Sequence, residues 1–247
     1  MKIYKDIYDF GFYYYSRLKN IVKYRELRAE LYSKKNICNL KIPDNVQKQD
    51  LFKDLKKNYK GLIKINGENF FVIPTAILKI PETEEKYLSM IKSQSRNKIN
   101  KAIKNSVYCK IFSWNDFLDD IYEIHKSKAF RQGKLMSKSY LEYPKSFNDE
   151  NELAEVIHLG AFQNEKLVGY VEWFRWGNFA ATNRLLGHGD FLKLGIMNLL
   201  FFESCKFSLK NNIEYLAYYT MLNNSSLDKF KKNIGFKNFL IKWDRKV

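Results

Sequence analysis

The residue best suited to proton chemistry is His188, set between Gly187 and Gly189 at the end of the apolar run FAATNRLLG. An imidazole takes up and returns a proton near neutral pH. A second feature is basic: Lys98, Lys101 and Lys104 recur every third residue, and no acid occurs from Lys92 through Lys110. Such a face either meets an anion or is simply solvated. A third is the aperiodic segment KAFRQGKLMSKSYLEYPKSFNDEN, which holds Arg131 and Tyr143. Long irregular loops in compact domains are often functional, although an ordinary surface loop reads the same way. His125, on the apolar side of a helix, and His158, mid-strand, read as core residues. Cys38, Cys109 and Cys205 are widely spaced without a C-x-x-C pair. They suit a reducing compartment and support neither a disulfide framework nor a zinc site, so no metal is expected.

The elements that position these residues centre on Thr182 to Phe239. FAATNRLLG reads as a strand, IMNLLFFESCKFSLKNN as a long apolar helix and EYLAYYTM as a second strand. A helix between two central strands is the crossover that a parallel pair requires. The turn LNNSS leads into a short helix, LDKFKKNIG, and a last strand, FKNFLIKW. Asn224 or Ser225 can cap that helix, Ser225 with Asp228 makes a capping box, and Gly235 marks its end. Before this unit, residues 153–186 alternate as an antiparallel meander with short turns. GLIKI and FFVIPTAILKI form a hairpin-like pair around Asn66-Gly67. Leu88, Ile91, Ile99, Ala102 and Ile103 form one apolar helical stripe. Residues 1–35, rich in Tyr, Phe, Lys and Arg, read as a helix that could lie on a membrane, grip tRNA or pack onto the domain.

Asn-x-x-Ser followed by Phe-x-x-x-x-Gly-Phe, here Asn223 to Phe236, resembles the closing helix and strand of the GNAT acyltransferases. The resemblance implies an α+β fold with a mixed, splayed β-sheet flanked by helices, preceded here by a helical N-terminal extension. It implies transfer of an acyl group from acyl-coenzyme A to an amine or hydroxyl. In that family Arg/Gln-x-x-Gly-x-Gly/Ala before the long helix cradles the pyrophosphate on backbone amides, as helix N-termini do. The aligned run here is Leu192-Lys193-Leu194-Gly195-Ile196-Met197, which keeps Gly195 and carries Met197 at a normally small position. Leu186, Gly187, Lys193, Leu194, Gly195, Ile196, Asn223 and Asn224 are the implied cofactor contacts. Arg96-x-x-Ile99-x-Lys101-Ala102-x-Lys104 further resembles a motif of the FemABX branch, which builds peptidoglycan cross-bridges from aminoacyl-tRNA. Full FemABX proteins have two complete halves. This chain divides into an extension over 1–60 and a GNAT-like domain over 61–247, within which 61–110 matches a reduced first half.

Acyl transfer to an amine needs a base, oxyanion stabilisation and a proton for the leaving group. By the resemblance, His188 and Glu172 are the base candidates. Lys231 stands where many relatives have a proton-donating Tyr, and Tyr218 or Tyr219 could substitute. Arg131, Tyr143 and Arg96 are assigned to substrate binding. The formal charge of +16 favours an anionic partner, whether coenzyme A, tRNA, another nucleic acid or an anionic membrane face, although a coding bias toward Lys gives the same number. The N-terminus is not a signal peptide and no apolar window is long enough to span a bilayer, so a cytoplasmic location is expected. The expected function is acyl transfer from acyl-coenzyme A to a small-molecule or cell-envelope precursor. Transfer from aminoacyl-tRNA is the alternative, and a catalytically inactive module binding nucleic acid or protein is a third.

Overall fold

The structure is a computed structural model and describes residues 15–42, 48–131, 134–148, 154–222 and 225–243. Residues 15–23 are helical, and α1 (Arg25–Ser33), β1 (Ile37–Asn39) and α2 (Lys48–Asn58) follow. Next come β2 (Leu62–Ile65), β3 (Glu68–Phe71), β4 (Thr75–Lys79), α3 (Glu84–Met90), α4 (Ser93–Lys104) and β5 (Tyr108–Ile111). A 3-10 turn leads to α5 (Leu118–Lys126), the small pair β6 (Phe130–Arg131) and β7 (Lys134–Leu135), and α6 (Lys138–Leu141). The meander is β8 (Glu155–Gln163), β9 (Lys166–Trp176) and β10 (Phe179–Gly187). The chain closes with α7 (Ile196–Lys210), β11 (Tyr215–Ala217), α8 (Ser226–Asn233) and β12 (Lys237–Lys242).

One mixed sheet runs β2-β3-β12-β4-β11-β10-β9-β8-β5, with β1 paired to β12. The crossover forms as its sequence requires: α7 links β10 to β11, which pair in parallel from Phe179↔Tyr215 to Ala181↔Ala217. Asn66 and Gly67 both have positive φ, 48° and 85°, the backbone of a tight two-residue hairpin turn joining β2 to β3. The Ser225 side chain accepts from the Asp228 amide and starts α8. Gly235, at φ 95°, follows its C-terminus.

Three expectations change. FFVIPTAILKI breaks into β3 and β4 around Ile73-Pro74, since proline has no N–H for a ladder. EYLAYYTM is a strand only to Ala217, because Tyr219 takes a left-handed φ of 47° and turns the chain away. The apolar stripe of Leu88 to Ile103 divides into α3 and α4 at Ile91-Lys92, and Ile103 is half exposed rather than buried.

Side chains alternate across each strand, so Val171 and Trp173 face one way and Tyr170, Glu172 and Phe174 the other. The first face buries Trp173, Leu200, Phe201 and Tyr87 beneath α3, α4 and α7. The second is covered at one end by α5, over Tyr170 and Phe162, and at the other by α2, whose Leu51 and Leu55 meet Ile77 and Trp243. α1 adds Leu31 against Phe70 and Leu240. Described parts of the first sixty residues are therefore laid onto the same sheet.

Candidate active site

After a register shift at Asn183, β10 stays paired with β9 as far as Gly187↔Gly169, whereas β11 stops at Ala217. The two central strands part after Ala181, and the Thr182 hydroxyl donates to Ala217 O at the fork (3.0 Å). The His188 amide is spent on Val168 O of the β9 side. Strand alternation then turns the N–H groups of Leu185 and Gly187 toward the open edge. Carbonyls on that edge are capped: Tyr219 Oη donates to Asn183 O (3.1 Å) and Arg131 Nη1 to Gly187 O (2.9 Å).

Two cavities meet at the fork. The larger, about 280 Å³, lies between Lys128 and Arg131, the β10 end, Leu192 and Met197, and Leu227 and Phe230 of α8. The smaller, about 190 Å³, is walled by Met136, Tyr140, Thr182, Asn183, Arg184 and Tyr219. Leu185, Leu186 and Tyr218 belong to both walls. Gly187 admits this packing, since a Cβ there would stand 2.8 Å from Met197 Sδ and 2.9 Å from Leu192.

A polar row crosses three strands below the smaller cavity, because register sets His158 opposite Glu172 and Glu172 opposite Arg184. His158 Nε2 lies 2.9 Å from Glu172 Oε2, Asn183 donates to Oε1, and Arg184 Nε is 3.8 Å away. Burial pushes the Glu172 carboxyl up, but the hydrogen bonds from His158 and Asn183 and the charge of Arg184 outweigh it and hold the group below its usual value. Glu172 is thus a buried carboxylate that orients Asn183. Arg184 also stands over the Trp114 ring, 5.2 Å from its centroid.

Lys231, overlooked as a site residue, is 1% exposed. Its Nζ donates to Thr220 O (2.8 Å) and lies 4.3 Å from the Tyr218 ring centroid. Burial lowers its pKa to about 8, with Asp228 opposing the shift. Burial also pushes the Tyr218 phenol well up, so its hydroxyl keeps its proton at neutral pH. The signal for Lys231 was present: it falls four residues after Leu227, on the apolar stripe of α8.

The other assigned residues are dispersed. His188 packs beside Phe191 and 3.9 Å from the exposed Asp190 carboxylate, and lines neither cavity. Lys193, Leu194, Gly195 and Ile196 form the turn into α7. Lys193 is exposed, Ile196 is core, and Gly195 sits at φ 91° against the backbone carbonyl of Lys98. Arg96 donates to Leu88 O and Ile91 O (3.0 and 2.7 Å) and so closes the end of α3. Tyr143 donates to Asp119 (2.9 Å) outside both walls. Arg131 lines the larger cavity while also donating to Ile124 O. Asn223 and Asn224 lie outside the described residues. His125, expected to be satisfied, has Nε2 2.7 Å from Tyr170 Oη but no partner for its buried Nδ1 among the described residues. Among the described residues no cluster of His, Cys, Asp and Glu could hold a metal ion, and no helix is long and apolar enough to cross a membrane.

A forked mixed sheet with a crossover helix at the fork defines a GNAT-like fold. No family model matches the sequence, and no curated protein matches it. Among solved structures, FemX superposes with a TM-score of 0.50 at 10% identity, over 67% of this chain and 59% of its own. L-PGS from Bacillus licheniformis does so at 0.45 and 14%, over 70% of this chain and 61% of its own. PaiA N-acetyltransferase from Thermoplasma acidophilum, solved with coenzyme A, does so at 0.43 and 23%, over 56% of this chain and 99% of its own. The chain thus spans about three fifths of FemX and of L-PGS. At 10% identity the likeness to FemX is one of fold.

Proposed function

We propose that this protein is an acyltransferase that carries an acyl group from acyl-coenzyme A to an amine or hydroxyl of a small molecule or cell-envelope precursor. The observation that carries the reading is the meeting of two cavities at Leu185, Leu186 and Tyr218, with the buried Lys231 ammonium against Tyr218. The donor enters the larger cavity and the acceptor the smaller. The acceptor nitrogen or oxygen attacks the thioester carbonyl, whose oxygen gathers negative charge. Open-edge amides of Leu185 and Gly187 are aimed where that charge develops. Collapse expels the thiolate, which takes a proton from the Tyr218 hydroxyl, and Lys231 stabilises the phenolate left behind. Glu172 acts through Asn183, which it holds toward the acceptor. His188 is the candidate for accepting the proton of the nucleophile, through one intervening water because it lines neither cavity, Tyr219 is the alternative proton donor, and Arg131 contacts substrate. Residues 1–60 serve as an extension to a 61–247 catalytic unit, with 61–110 as a reduced FemABX-like first half.

Aminoacyl-tRNA is the second reading for the donor. It is favoured by the packing of Gly195 on the Lys98 carbonyl, which brings the exposed Lys98, Lys101 and Lys104 of α4 beside the first turn of α7. Titrating the folded protein with acetyl-coenzyme A at two salt concentrations separates the two. Micromolar, modestly salt-sensitive binding, weakened by Gly195→Pro, supports coenzyme A. No heat with acetyl- or longer acyl-coenzyme A overturns that donor, and turnover with charged tRNA then decides between the second reading and an inactive module.

A further inference from the structure

We propose that the protein has a second binding site, for a free organic phosphate of nucleotide size, at the end of the sheet away from the fork. It does not depend on the acyl-transfer reading. A cavity of about 360 Å³ opens there between β4, β12 and the turn before β1. Its rim carries Lys35, Lys79, Lys86 and Lys237 against a single acid, Glu82. Glu82 is engaged by Lys86 at 2.6 Å, and the nearby Glu214 by Lys41 at 2.5 Å. Among the described residues no carboxylate is within ion-pair distance of Lys35, Lys79 or Lys237, and the charge of Lys79 is felt at longer range by Glu82 and Glu214. Sheet register brings two of them together: Lys237 pairs with Ile77, so Lys79, two residues along the same strand, is its diagonal neighbour on the same face. Like charges so placed repel, and a bound dianion reverses the sign of that term.

The floor is apolar. Ile77 and Phe239 are buried beneath the rim, and Met90 stands exposed at its side. Ammonium groups over an apolar floor fit a phosphomonoester, which carries about −2 charge and three strong acceptor oxygens, attached to a flat or apolar body. The volume suits a ligand of nucleotide size. Lys79 pairs with Tyr215, three residues from Tyr218, so the site stands roughly 10 Å along the strand from the fork at 3.3 Å per residue.

Isothermal titration of the full chain with AMP, adenosine and inorganic phosphate tests this. AMP should bind in the micromolar range, at least tenfold tighter than adenosine or phosphate alone. The double variant Lys79→Gln, Lys237→Gln should weaken AMP at least tenfold, and Lys35→Gln should weaken it less. All three lysines are exposed, so the variants should keep the wild-type melting temperature. Coenzyme A itself carries a phosphorylated adenosine, so the control is acetyl-pantetheine, which has neither phosphate nor nucleotide: its binding should stay unchanged in these variants, which separates this site from the fork. Undiminished AMP binding in the double variant, or no AMP binding to the wild type, overturns the proposal.

Discussion

The ammonium of Lys231 stands 4.3 Å from the centre of the Tyr218 ring, and both residues are buried at the fork of the sheet. A fully buried lysine is costly unless its charge is used, and here the ammonium donates to the Thr220 carbonyl. Lys231→Met fills the same space without the charge. In the proposed acyl transfer, turnover should fall by about 100-fold, the scale set by loss of one preorganised charge stabiliser, with unfolding free energy unchanged or higher. A fall in stability with full activity would instead mark Lys231 as a packing residue.

The same lysine makes a pH prediction. Its pKa is about 8 when folded and 10.5 ordinarily, so between those values the unfolded chain binds more protons than the folded one. Stability therefore rises with pH across that window and the burden is greatest below pH 8. The wild type should gain on Lys231→Met from pH 8 to 10.5 when their denaturation midpoints are compared, and parallel profiles would contradict it.

Tyr218→Phe removes the hydroxyl but keeps the ring beneath Lys231. Turnover should drop by about 100-fold, as for loss of a general acid, while titration gives an unchanged donor affinity. Equal turnover in the two proteins would move the proton donor elsewhere.

Glu172 is the hub of the row from His158 to Arg184. Glu172→Ala leaves those partners uncompensated and should cost roughly 3–5 kcal/mol in chemical denaturation. Because the folded carboxyl lies below its ordinary value of 4.5, its stabilisation is present above that pH and is lost as pH falls through the folded value. The acid limb of the stability curve should flatten in Glu172→Gln.

Gly195→Ala would set a Cβ against the Lys98 carbonyl in a left-handed backbone. We expect a loss of about 2 kcal/mol or more, measured as a lower denaturation midpoint, because the backbone strain alone is about 1–2 kcal/mol. An unchanged midpoint would mean that α4 and α7 are free to part.

Local features were legible in the chain because their causes are local. Asn66-Gly67 specifies its hairpin through backbone freedom, Ser225 its helix start through a side-chain oxygen, and the apolar α7 its crossover through length and burial. Pro74 was equally readable as a strand break, and the expectation of one continuous strand passed over it. The shortened β11 was not readable, since no proline or glycine forces Tyr219 into its left-handed turn.

The site divides along the same line. By itself the sequence determined the crossover that joins β10 to β11, the turn at Gly195 and the place of Glu172 on β9, while Tyr218 and Tyr219, expected on a strand, lie just beyond the end of β11. Only the tertiary structure decided their company. Register across three strands joins His158, Glu172 and Arg184, which lie far apart in the chain, and alternation puts His188's amide toward β9. Packing of α8 turned Lys231 inward, against the usual preference of lysine for solvent, and the break between α3 and α4 tied Arg96 to backbone carbonyls rather than to an open surface. Spacing along a chain specifies which face a side chain takes, whereas its charge partners depend on which other segment is packed against that face.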